Sequence, residues 1–589
     1  MTVGAPMTGN LTDDVVVNGR EFASAVVMRR RVEATWEDIT ASAFLTEVSD
    51  VAKGLLASGI EAGDRVGLIS STRYEWTLVD YAIWFAGAVT VPVYETSSTE
   101  QIEWILRDSG ARAVVAEGPD HVEAIATVRG RLPQLEHVWS LTDSAVDLLS
   151  DHGAQVADEE LEARRTTATP LDLATVIYTS GTTGRPKGCM VTHGNLMFEV
   201  SVAVDALDEL FSPDASTLLF LPLAHVFARV IEVACVRKRV TLGHSAAIKQ
   251  LVEDLQEYEP TFVLAVPRVF EKLFNTASQR ATADGRGKLF NRAAETAIAY
   301  SRGLDRGRPS LLVRARHAVF NRLVYRKLRA VLGGRCTHAI SGGAPLGERL
   351  GHFYRGIGLA VLEGYGLTET TAAVTVNTSQ LLKIGTVGRP LPGTSVRVAD
   401  DGELLFAGGQ VFAGYWENEP ATAEALERNG WFHTGDVGEI DDEGFVRITG
   451  RKKEILVTAG GKNVAPAVLE DRVRAHALVS QCLVVGDGQP FIAALITLDV
   501  DALPAWAGAH HKSGVLADLV TDPDLVAELQ KAVDDANAAV SKAEAIRKFT
   551  ILSRDWTEEG GQLTPSLKLK RSVVMREARD DVAALYRSH

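Results

Sequence analysis

One stretch of hydroxyl residues and glycines has the composition of a phosphate-binding loop. It runs from Tyr178 to Gly188 and follows an apolar segment, Ala174–Ile177, that is typical of a buried strand. Short side chains and bare backbone N–H groups can converge on phosphate oxygens there, and Lys187 adds a positive charge. Because Lys187 is followed by Gly188, the stretch is not the GxxxxGK[ST] loop of P-loop NTPases. A surface loop would have a similar composition; the candidate phosphate ligands are Thr179, Ser180, Gly181, Thr182, Thr183, Gly184 and Lys187.

This loop resembles the phosphate-binding signature of the adenylate-forming superfamily of acyl-CoA synthetases, peptide-synthetase adenylation domains and luciferases. The resemblance extends from about residue 35 to about residue 575, and further segments on both sides of the loop occur in the family's order. They are Arg73–Ser98, Leu221–Arg229, Ser341–Pro345, Glu363–Thr370, Trp431–Asp436, Gly450–Lys453 and Leu563–Lys568. The resemblance implies an α/β fold in which a large N-terminal domain of several subdomains precedes a small, mobile C-terminal α+β domain.

The resemblance assigns the nucleotide to a set of polar and aromatic residues. The aromatic face of Tyr365 would take the adenine, which the glycines on both sides would let approach. Thr368 offers a hydroxyl to the α-phosphate, and Glu369 supplies a carboxylate suited to Mg²⁺. Asp436 and Arg451 would accept from and donate to the ribose hydroxyls, although a solvated ion pair is the competing interpretation. The remaining adenine-side residues are Gly343, Ala344, Pro345 and Gly366.

Two lysines near the C-terminus compete for the catalytic role. Lys568 closes a Thr-Pro-Ser-Leu-Lys segment that resembles the family's terminal catalytic lysine motif, with Leu567 where many members have glycine. Lys570 follows within a basic cluster, which is usually solvated surface, and it is the second candidate. The resemblance further implies that the C-terminal domain rotates about Lys453, and that Gly460 and Gly461 face CoA.

The segment Leu221–Arg229 resembles the substrate side of the family, with His225 at the mouth of an acyl pocket and Arg229 lining it. A lone histidine on an apolar segment fits a core position equally well. Val266–Lys272, Ser341–Leu346 and the terminal lysine motif resemble bacterial long-chain fatty acyl-CoA synthetases. We therefore expect a ligase that converts ATP, a long-chain fatty acid and CoA to acyl-CoA, AMP and pyrophosphate through an acyl-adenylate, with Mg²⁺ as cofactor.

Three other functions remain open at this point. A fatty acyl-AMP ligase would pass the adenylate to a carrier protein. A luciferase-like oxidase is not indicated by any residue pattern. A non-catalytic adenylate-binding or membrane-docking protein is disfavoured because both Glu369 and Lys568 are retained.

The elements that would position these residues alternate between strand and helix. Helical periodicity over Ala41–Gly59 leads into a short buried strand at Arg65–Ser70, and a helix near Trp76–Ala88 precedes the strand Val89–Val93. Such alternation favours a largely parallel sheet. Gly438–Gly450 is typical of a β-hairpin. We predict a flexible tail over 1–20, an adenylation domain over 21–449, a hinge over 450–453 and a mobile domain over 454–589.

Composition and charge restrict the class of protein. With 46% hydrophobic and 23% charged residues the chain is globular, and its formal net charge of -15 opposes nucleic-acid binding. The four cysteines are too dispersed for a zinc site and indicate a reducing compartment. Because the N-terminus lacks a secretory signal and no apolar run reaches the ~20 residues that cross a bilayer, we expect a cytoplasmic protein.

A local excess of positive charge interrupts this acidic chain between residues 302 and 329. The segment contains one acidic residue, Asp305. Its basic residues are Arg302, Arg306, Arg308, Arg314, Arg316, Arg322, Arg326, Lys327 and Arg329. A solvated helix face explains them, and so does a peripheral contact with anionic membrane.

Overall fold

The computed structural model describes residues 7–33, 35–179, 185–246, 250–512, 516–564 and 568–587. Within these ranges the chain has a mixed α/β fold, in which a large N-terminal domain built on three sheets precedes a smaller C-terminal domain. The fold class predicted from the sequence is confirmed.

The strands of the N-terminal domain are short and mostly buried. In chain order they are β1 (Val26–Val32), β2 (Thr35–Thr40), β3 (Arg65–Ile69), β4 (Val89–Val93), β5 (Ala113–Ala116), β6 (His137–Ser140), β7 (Leu173–Thr179), β8 (Lys187–Thr192), β9 (Ser216–Leu219), β10 (Thr241–His244), β11 (Phe262–Ala265), β12 (His338–Ser341), β13 (Ala360–Leu367), β14 (Ala372–Val376), β15 (Arg389–Pro390), β16 (Ser395–Val398), β17 (Glu403–Ala407), β18 (Gly414–Tyr415), β19 (Phe432–Ile440) and β20 (Val446–Arg451).

Helices cover these sheets. They are α1 (Asp13–Glu21), α2 (Ala41–Ala57), α3 (Tyr74–Phe85), α4 (Thr99–Asp108), α5 (Pro119–Val128), α6 (Ala145–Gly153), α7 (Asp158–Arg165), α8 (His193–Ala206), α9 (Val226–Lys238), α10 (Leu251–Tyr258), α11 (Pro267–Ala283), α12 (Gly287–Asp305), α13 (Leu311–Phe320), α14 (Arg326–Ala330), α15 (Glu348–Ile357) and α16 (Glu419–Ala425). A π-helical turn, Asn321–Tyr325, joins α13 to α14.

Two of the sheets have parallel centres. One has the order β18-β8-β7-β4-β3-β5-β6, and the other has the order β15-β14-β13-β12-β11-β9-β10-β1-β2. Their central strands are apolar on both faces because helices pack on each side. The third sheet, β16-β17-β19-β20, is antiparallel. The predicted hairpin over 438–450 is therefore confirmed as the pair β19–β20.

The C-terminal domain follows a short 3₁₀ turn at Lys452–Glu454. Its strands are β21 (Leu456–Val457), β22 (Asn463–Val464), β23 (Val479–Val485), β24 (Ile492–Leu498) and β25 (Ile546–Ile551). Its helices are α17 (Pro466–Arg474), α18 (Leu503–Ala509), α19 (Leu516–Leu519), α20 (Pro523–Asn537), α21 (Arg571–Glu577) and α22 (Arg579–Tyr586). Strand β20 runs through Arg451, so the first two residues of the predicted hinge belong to the N-terminal hairpin.

The prediction of a flexible tail over 1–20 is wrong for the described residues 7–20. Helix α1 buries Val15 and Val16, and Asn10 Nδ2 donates a hydrogen bond to the carbonyl of Arg165 at 3.0 Å. Arg165 also forms an ion pair with Asp13 at 2.5 Å. The partner lies far along the chain, and local sequence could not reveal it.

None of the helices in the described ranges combines the length and the apolar character needed to cross a bilayer. All four cysteines are free and buried.

Candidate functional site

The ribose motif and the basic residue that follows it meet across a hairpin. Asp436 on β19 and Arg451 on β20 are directly opposite in the antiparallel register, so their side chains lie on the same face. Arg451 Nε is 3.0 Å from Asp436 Oδ1, and the hydroxyl of Tyr365 donates to Asp436 Oδ2 at 2.6 Å. Tyr365, Asp436 and Arg451, which are separated by 15 to 86 positions in the sequence, thus form one cluster.

Asp436 retains capacity for a further hydrogen bond. Its side chain is buried, and no hydrogen bond within the described part of the chain is aligned onto Oδ1 despite the proximity of Arg451. Burial raises the pKa of Asp436, whereas Arg451, Tyr365 and Lys568 oppose that shift. A buried acceptor without an aligned donor is costly, so this oxygen fits a ligand hydroxyl such as that of a ribose.

Lys568 of the C-terminal domain reaches into the N-terminal domain. Its Cε lies 3.8 Å from the position that a Cβ on Gly343 would occupy. Desolvation by the cleft walls and the charge of Arg451 lower the pKa of Lys568, while Asp436 and Glu369 oppose them. Its backbone N–H donates to Thr564 Oγ1 at 3.0 Å. The ammonium group therefore lies among the predicted nucleotide residues.

His225 lies at the N-terminus of α9, where its side chain caps the helix. Its Nδ1 accepts the N–H of Phe227 at 3.2 Å, which leaves Nε2 to carry the proton of the neutral ring. Desolvation lowers the pKa of His225 to about 3, and Lys568 contributes in the same direction. The ring is therefore neutral near pH 7 and close to the catalytic lysine candidate.

Glu369 lies in a 3₁₀ turn, Thr368–Thr370, that directly follows β13. The hydroxyl of Tyr415 donates to its Oε1 at 2.8 Å, and Lys187 Nζ lies 4.9 Å from the centre of the Tyr415 ring. One aromatic side chain thus joins the carboxylate to the lysine of the predicted phosphate loop. The sequence analysis missed Tyr415, because its contact with Glu369 joins residues 46 positions apart.

Only the two ends of the predicted phosphate loop fall within the described residues. Thr179 and Lys187 are paired across β7 and β8, so both are held at the same end of the sheet. Ser180, Gly181, Thr182, Thr183 and Gly184 lie outside the described residues.

The adenine-side glycines have different structural roles from one another. Gly343 adopts φ +82° in an exposed turn with Ala344 and Pro345. A Cβ on Gly366 would lie 1.4 Å from the carbonyl oxygen of Ala372. Gly366 is thus required by the close approach of β14, and its place beside adenine stays a prediction.

Arg229 does not line a pocket, contrary to the sequence prediction. Its guanidinium forms an ion pair with Asp80 in which both side chains are 0% exposed, and it donates to Thr175 Oγ1 at 2.6 Å. Trp76 and Trp84 pack against it, with ring centres 5.4 and 5.0 Å from Cζ. The Arg229 side chain is therefore part of a buried ion pair in the core.

Three predicted residues lie outside this cluster. Lys453 is exposed in the turn that links the domains, and Gly460 and Gly461 occupy an exposed turn between β21 and β22. Gly461 adopts φ +75°. The site in this domain arrangement is the cleft formed by Asp436, Arg451, Tyr365, Glu369, His225 and Lys568.

The structure brings together a buried carboxylate, Asp436, and a lysine from the second domain, Lys568, two of the groups that the sequence resemblance assigns to the site of an adenylate-forming enzyme. The AMP-binding enzyme model matches residues 17–416, and the AMP-binding enzyme C-terminal domain model matches residues 453–589. The chain therefore belongs to the AMP-binding enzyme family, and the resemblance found in the sequence is confirmed.

The chain is similar along its whole length to curated ligases. It is 52% identical to the long-chain-fatty-acid–CoA ligase FadD15 of Mycobacterium bovis and 51% identical to that of Mycobacterium tuberculosis, in each case over 100% of this chain and 99% of the relative.

Solved structures share the fold. The adenylation and carrier didomain of the carboxylic acid reductase from Segniliparus rugosus has a TM-score of 0.75 at 20% identity, covering 99% of this chain and 82% of that one. A fatty acyl CoA synthetase of Mycobacterium tuberculosis has a TM-score of 0.63 at 22% identity, covering 97% and 99%.

Proposed function

We propose that this protein is a long-chain fatty acid–CoA ligase that works through an acyl-adenylate. The observation that carries the proposal is the full-length similarity, above 50% identity, to two proteins named as ligases of this kind. The cleft around Asp436 and Lys568 supports it with the charges that the first half-reaction requires.

In the first half-reaction the fatty acid carboxylate attacks the α-phosphorus of ATP. A new P–O bond forms, the bond to the bridging oxygen breaks, and pyrophosphate leaves. We assign Lys568 to the carboxylate and the α-phosphate, where a charge-assisted hydrogen bond stabilises the developing charge. Neutral His225 would donate from Nε2 to the substrate carboxylate, and Asp436 with Arg451 would hold the ribose. Thr368 would donate to the α-phosphate, and Lys187 would contact the outgoing phosphates.

Magnesium fits one position in the cleft. Among the described residues no group of three or more His, Cys, Asp or Glu side chains could hold a metal ion, but Mg²⁺ commonly binds through one or two carboxylates and the phosphates of its substrate. Glu369 is the carboxylate that suits this role, oriented by Tyr415. When bound, Mg²⁺ supplies positive charge that neutralises the phosphates.

In the second half-reaction the thiol of CoA attacks the acyl-adenylate. A C–S bond forms, the C–O bond to AMP breaks so that AMP leaves with the bonding electrons, and the thiol proton passes to solvent. We assign Lys453 to the hinge between a domain over 21–449 and a domain over 454–589, and Gly460 and Gly461 to the CoA side. The free cysteines suit a reducing cytoplasm.

The experiment is a pyrophosphate-release assay with fatty acids from C2 to C20, with and without CoA. We expect turnover to need CoA and to be fastest with long chains, and thioester to form. Release without a CoA thioester, but with acylation of an added carrier protein, would contradict the choice of CoA. A preference for short acids would contradict the substrate class.

We further propose that the basic segment 302–329 contacts anionic membrane. Helix α13 buries none of its residues, and large apolar side chains stand exposed among the arginines: Leu311 at 80%, Leu312 at 61%, Val319 at 57% and Leu323 at 51%. Exposed apolar groups beside cations favour an anionic bilayer surface, where each basic residue contributes about 1 kcal/mol.

Vesicle co-sedimentation tests this surface. Wild-type protein should bind vesicles that contain phosphatidylglycerol more than neutral vesicles, and reversal to Glu at Arg314, Arg322 and Arg326 should abolish the difference. The matched control reverses the exposed residues Arg428, Arg547 and Arg576, which lie elsewhere. Equal binding to both vesicles, or equal loss in the control, would contradict the proposal.

A further inference from the structure

Lys568 acts across a domain boundary, so its position depends on how the two domains dock. Its amino group belongs to the C-terminal domain, whereas Gly343, 3.8 Å from its Cε when a Cβ is placed there, belongs to the N-terminal domain. A shift of 1 Å at such a group is enough to slow a reaction strongly. The contacts that hold the domains together therefore bear on catalysis.

One of these contacts joins Arg349 of the N-terminal domain to the C-terminal end of helix α17. Arg349 Nη2 donates to the carbonyl of Ala475, the C-cap of α17, at 3.0 Å. The guanidinium also lies 4.7 Å from the centre of the Phe274 ring. The negative end of a helix dipole favours a cation. Arg349 lies on α15 and Phe274 on α11, so this contact joins two N-terminal helices to one C-terminal helix.

Arg349 is only partly exposed in this contact. Desolvation lowers the pKa of Arg349, and Glu271, Tyr354 and Asp535 oppose it. A hydrogen bond to a charged group in such a place is stronger than one in water. We therefore expect Arg349 to contribute more to docking than an exposed ion pair does.

A second contact lies beside the first. Arg268 Nη2 approaches Ser480 Oγ of β23 at 3.3 Å, and its Nη1 pairs with Glu271 at 3.2 Å. Ser480 in turn donates to Asp555 at 2.7 Å. Helix α11 thus contacts β23 through Arg268 and packs, through Phe274, against the arginine that contacts α17.

The middle of α17 is bonded to the segment that carries Lys568. Arg571, the first residue of α21, pairs with Glu470 of α17 at 2.5 Å and donates to the carbonyl of Val484 at 2.7 Å. Only two residues separate Arg571 from Lys568. Helix α17 thus connects the Arg349 contact at one end with the base of the lysine segment.

We propose that Arg349 is a positioning residue for adenylate formation, acting through α17 to hold Lys568 in the cleft. The inference rests on the proposed function in so far as it assigns Lys568 to the first half-reaction. Arg349 touches neither substrate nor nucleotide in this scheme. Its effect is transmitted through Ala475, α17 and the Glu470–Arg571 pair.

The test measures the two half-reactions separately in Arg349→Ala. Acyl-AMP formation from ATP should slow roughly 10- to 100-fold, the equivalent of one charge-assisted hydrogen bond, while supplied acyl-AMP and CoA give thioester at the wild-type rate. Arg349→Lys should recover part of the loss. Lys272→Ala is the matched control, because its contact with Asp501 at 3.7 Å joins side chains that are 66% and 74% exposed.

A double variant separates positioning from a general defect. In a Lys568→Ala background, Arg349→Ala should cause no further loss of acyl-AMP formation, since the group that it positions is absent. Independent, multiplicative losses would overturn the proposal. So would equal slowing of both half-reactions in Arg349→Ala, or the same selective defect in Lys272→Ala.

Amide hydrogen exchange gives a readout that needs no substrate. Residues 475–480 should exchange faster in Arg349→Ala and Arg349→Lys than in wild type, in buffer alone, while β3 and β4 remain protected. Unchanged exchange at 475–480 would overturn the docking role. Because this measurement is independent of fatty acid and CoA, failure of the proposed function and failure of the Arg349 proposal are distinguishable.

Discussion

Replacing Arg229 by methionine should destabilise the N-terminal domain without changing which acids the enzyme selects. The guanidinium is fully buried with Asp80 and Thr175, and the rings of Trp76 and Trp84 enclose it. Methionine retains apolar volume but leaves the Asp80 carboxylate buried without its cation. The change therefore tests whether Arg229 belongs to the core or to the acyl pocket.

The expected loss follows from the burial of both partners. Removing one partner of a buried ion pair costs about 3–5 kcal/mol. In a domain of the size of 21–449 an unfolding entropy of about 2.1 cal/mol/K per residue makes each kcal/mol worth about 1 °C in Tm, so Tm should fall by about 3–5 °C. Replacing both residues, as Asp80→Leu with Arg229→Met, should recover most of this, because no uncompensated charge remains.

Differential scanning calorimetry measures the change in Tm, and KM values for acids of different chain length show whether Arg229 affects the choice of acid. The matched control is Arg107→Met, which also removes an arginine with an acidic partner, Glu103, and a nearby ring, Trp104, but at a surface where the arginine is 42% exposed. Its Tm should change little. If Arg229→Met keeps the wild-type Tm and instead raises KM for long acids, the assignment of Arg229 to the core is wrong.

Further predictions concern the cleft and the buried acid of α9. Glu369→Ala should fold normally and lose about 10²-fold or more of pyrophosphate release; near-wild-type release would refute its role. Lys568→Ala should block acyl-AMP formation but spare thioester formation. Lys453→Pro should spare acyl-AMP formation and block thioester formation if it locks the adenylating pose. A selective loss of acyl-AMP formation in Lys570→Ala, and not in Lys568→Ala, would make Lys570 the catalytic lysine. Burial raises the pKa of Glu232 to about 8, so the folded state keeps a proton that the unfolded state releases near the ordinary carboxyl pKa. Wild-type stability therefore falls progressively as pH rises towards 8 and levels off above it. Tm measured from pH 6 to 9 should fall less in Glu232→Gln; parallel curves would contradict this.

Elements with strong local patterns were predictable from the sequence. Strand Val89–Val93 and helix Ala41–Ala57 were found nearly to the residue, because an unbroken apolar run and a 3.6-residue period are local properties. Helix α1 was missed, since its burial depends on Arg165, 155 residues from Asn10. The partner of Arg229 lies 149 residues away, and a motif could not reveal it.

The site was predictable where family motifs supply identity but not where packing decides. Asp436 and Arg451 were both assigned to the ribose, with an ion pair as the competing interpretation, and their hairpin register places them opposite each other. The sequence left Lys568 and Lys570 as competitors, and domain docking places Lys568 next to Gly343. Arg349 carried no signal, because its partner is a backbone carbonyl of another domain.

The central claim is that this cleft joins a long-chain acid to AMP before CoA reacts. The direct measurement is mass spectrometry of the enzyme incubated with Mg²⁺, ATP and palmitate in the absence of CoA. We expect acyl-AMP on the enzyme together with an equal amount of pyrophosphate, and conversion of that acyl-AMP to thioester when CoA is added. Formation of ADP and phosphate, or thioester formation with no acyl-AMP at any time after mixing, would contradict the account.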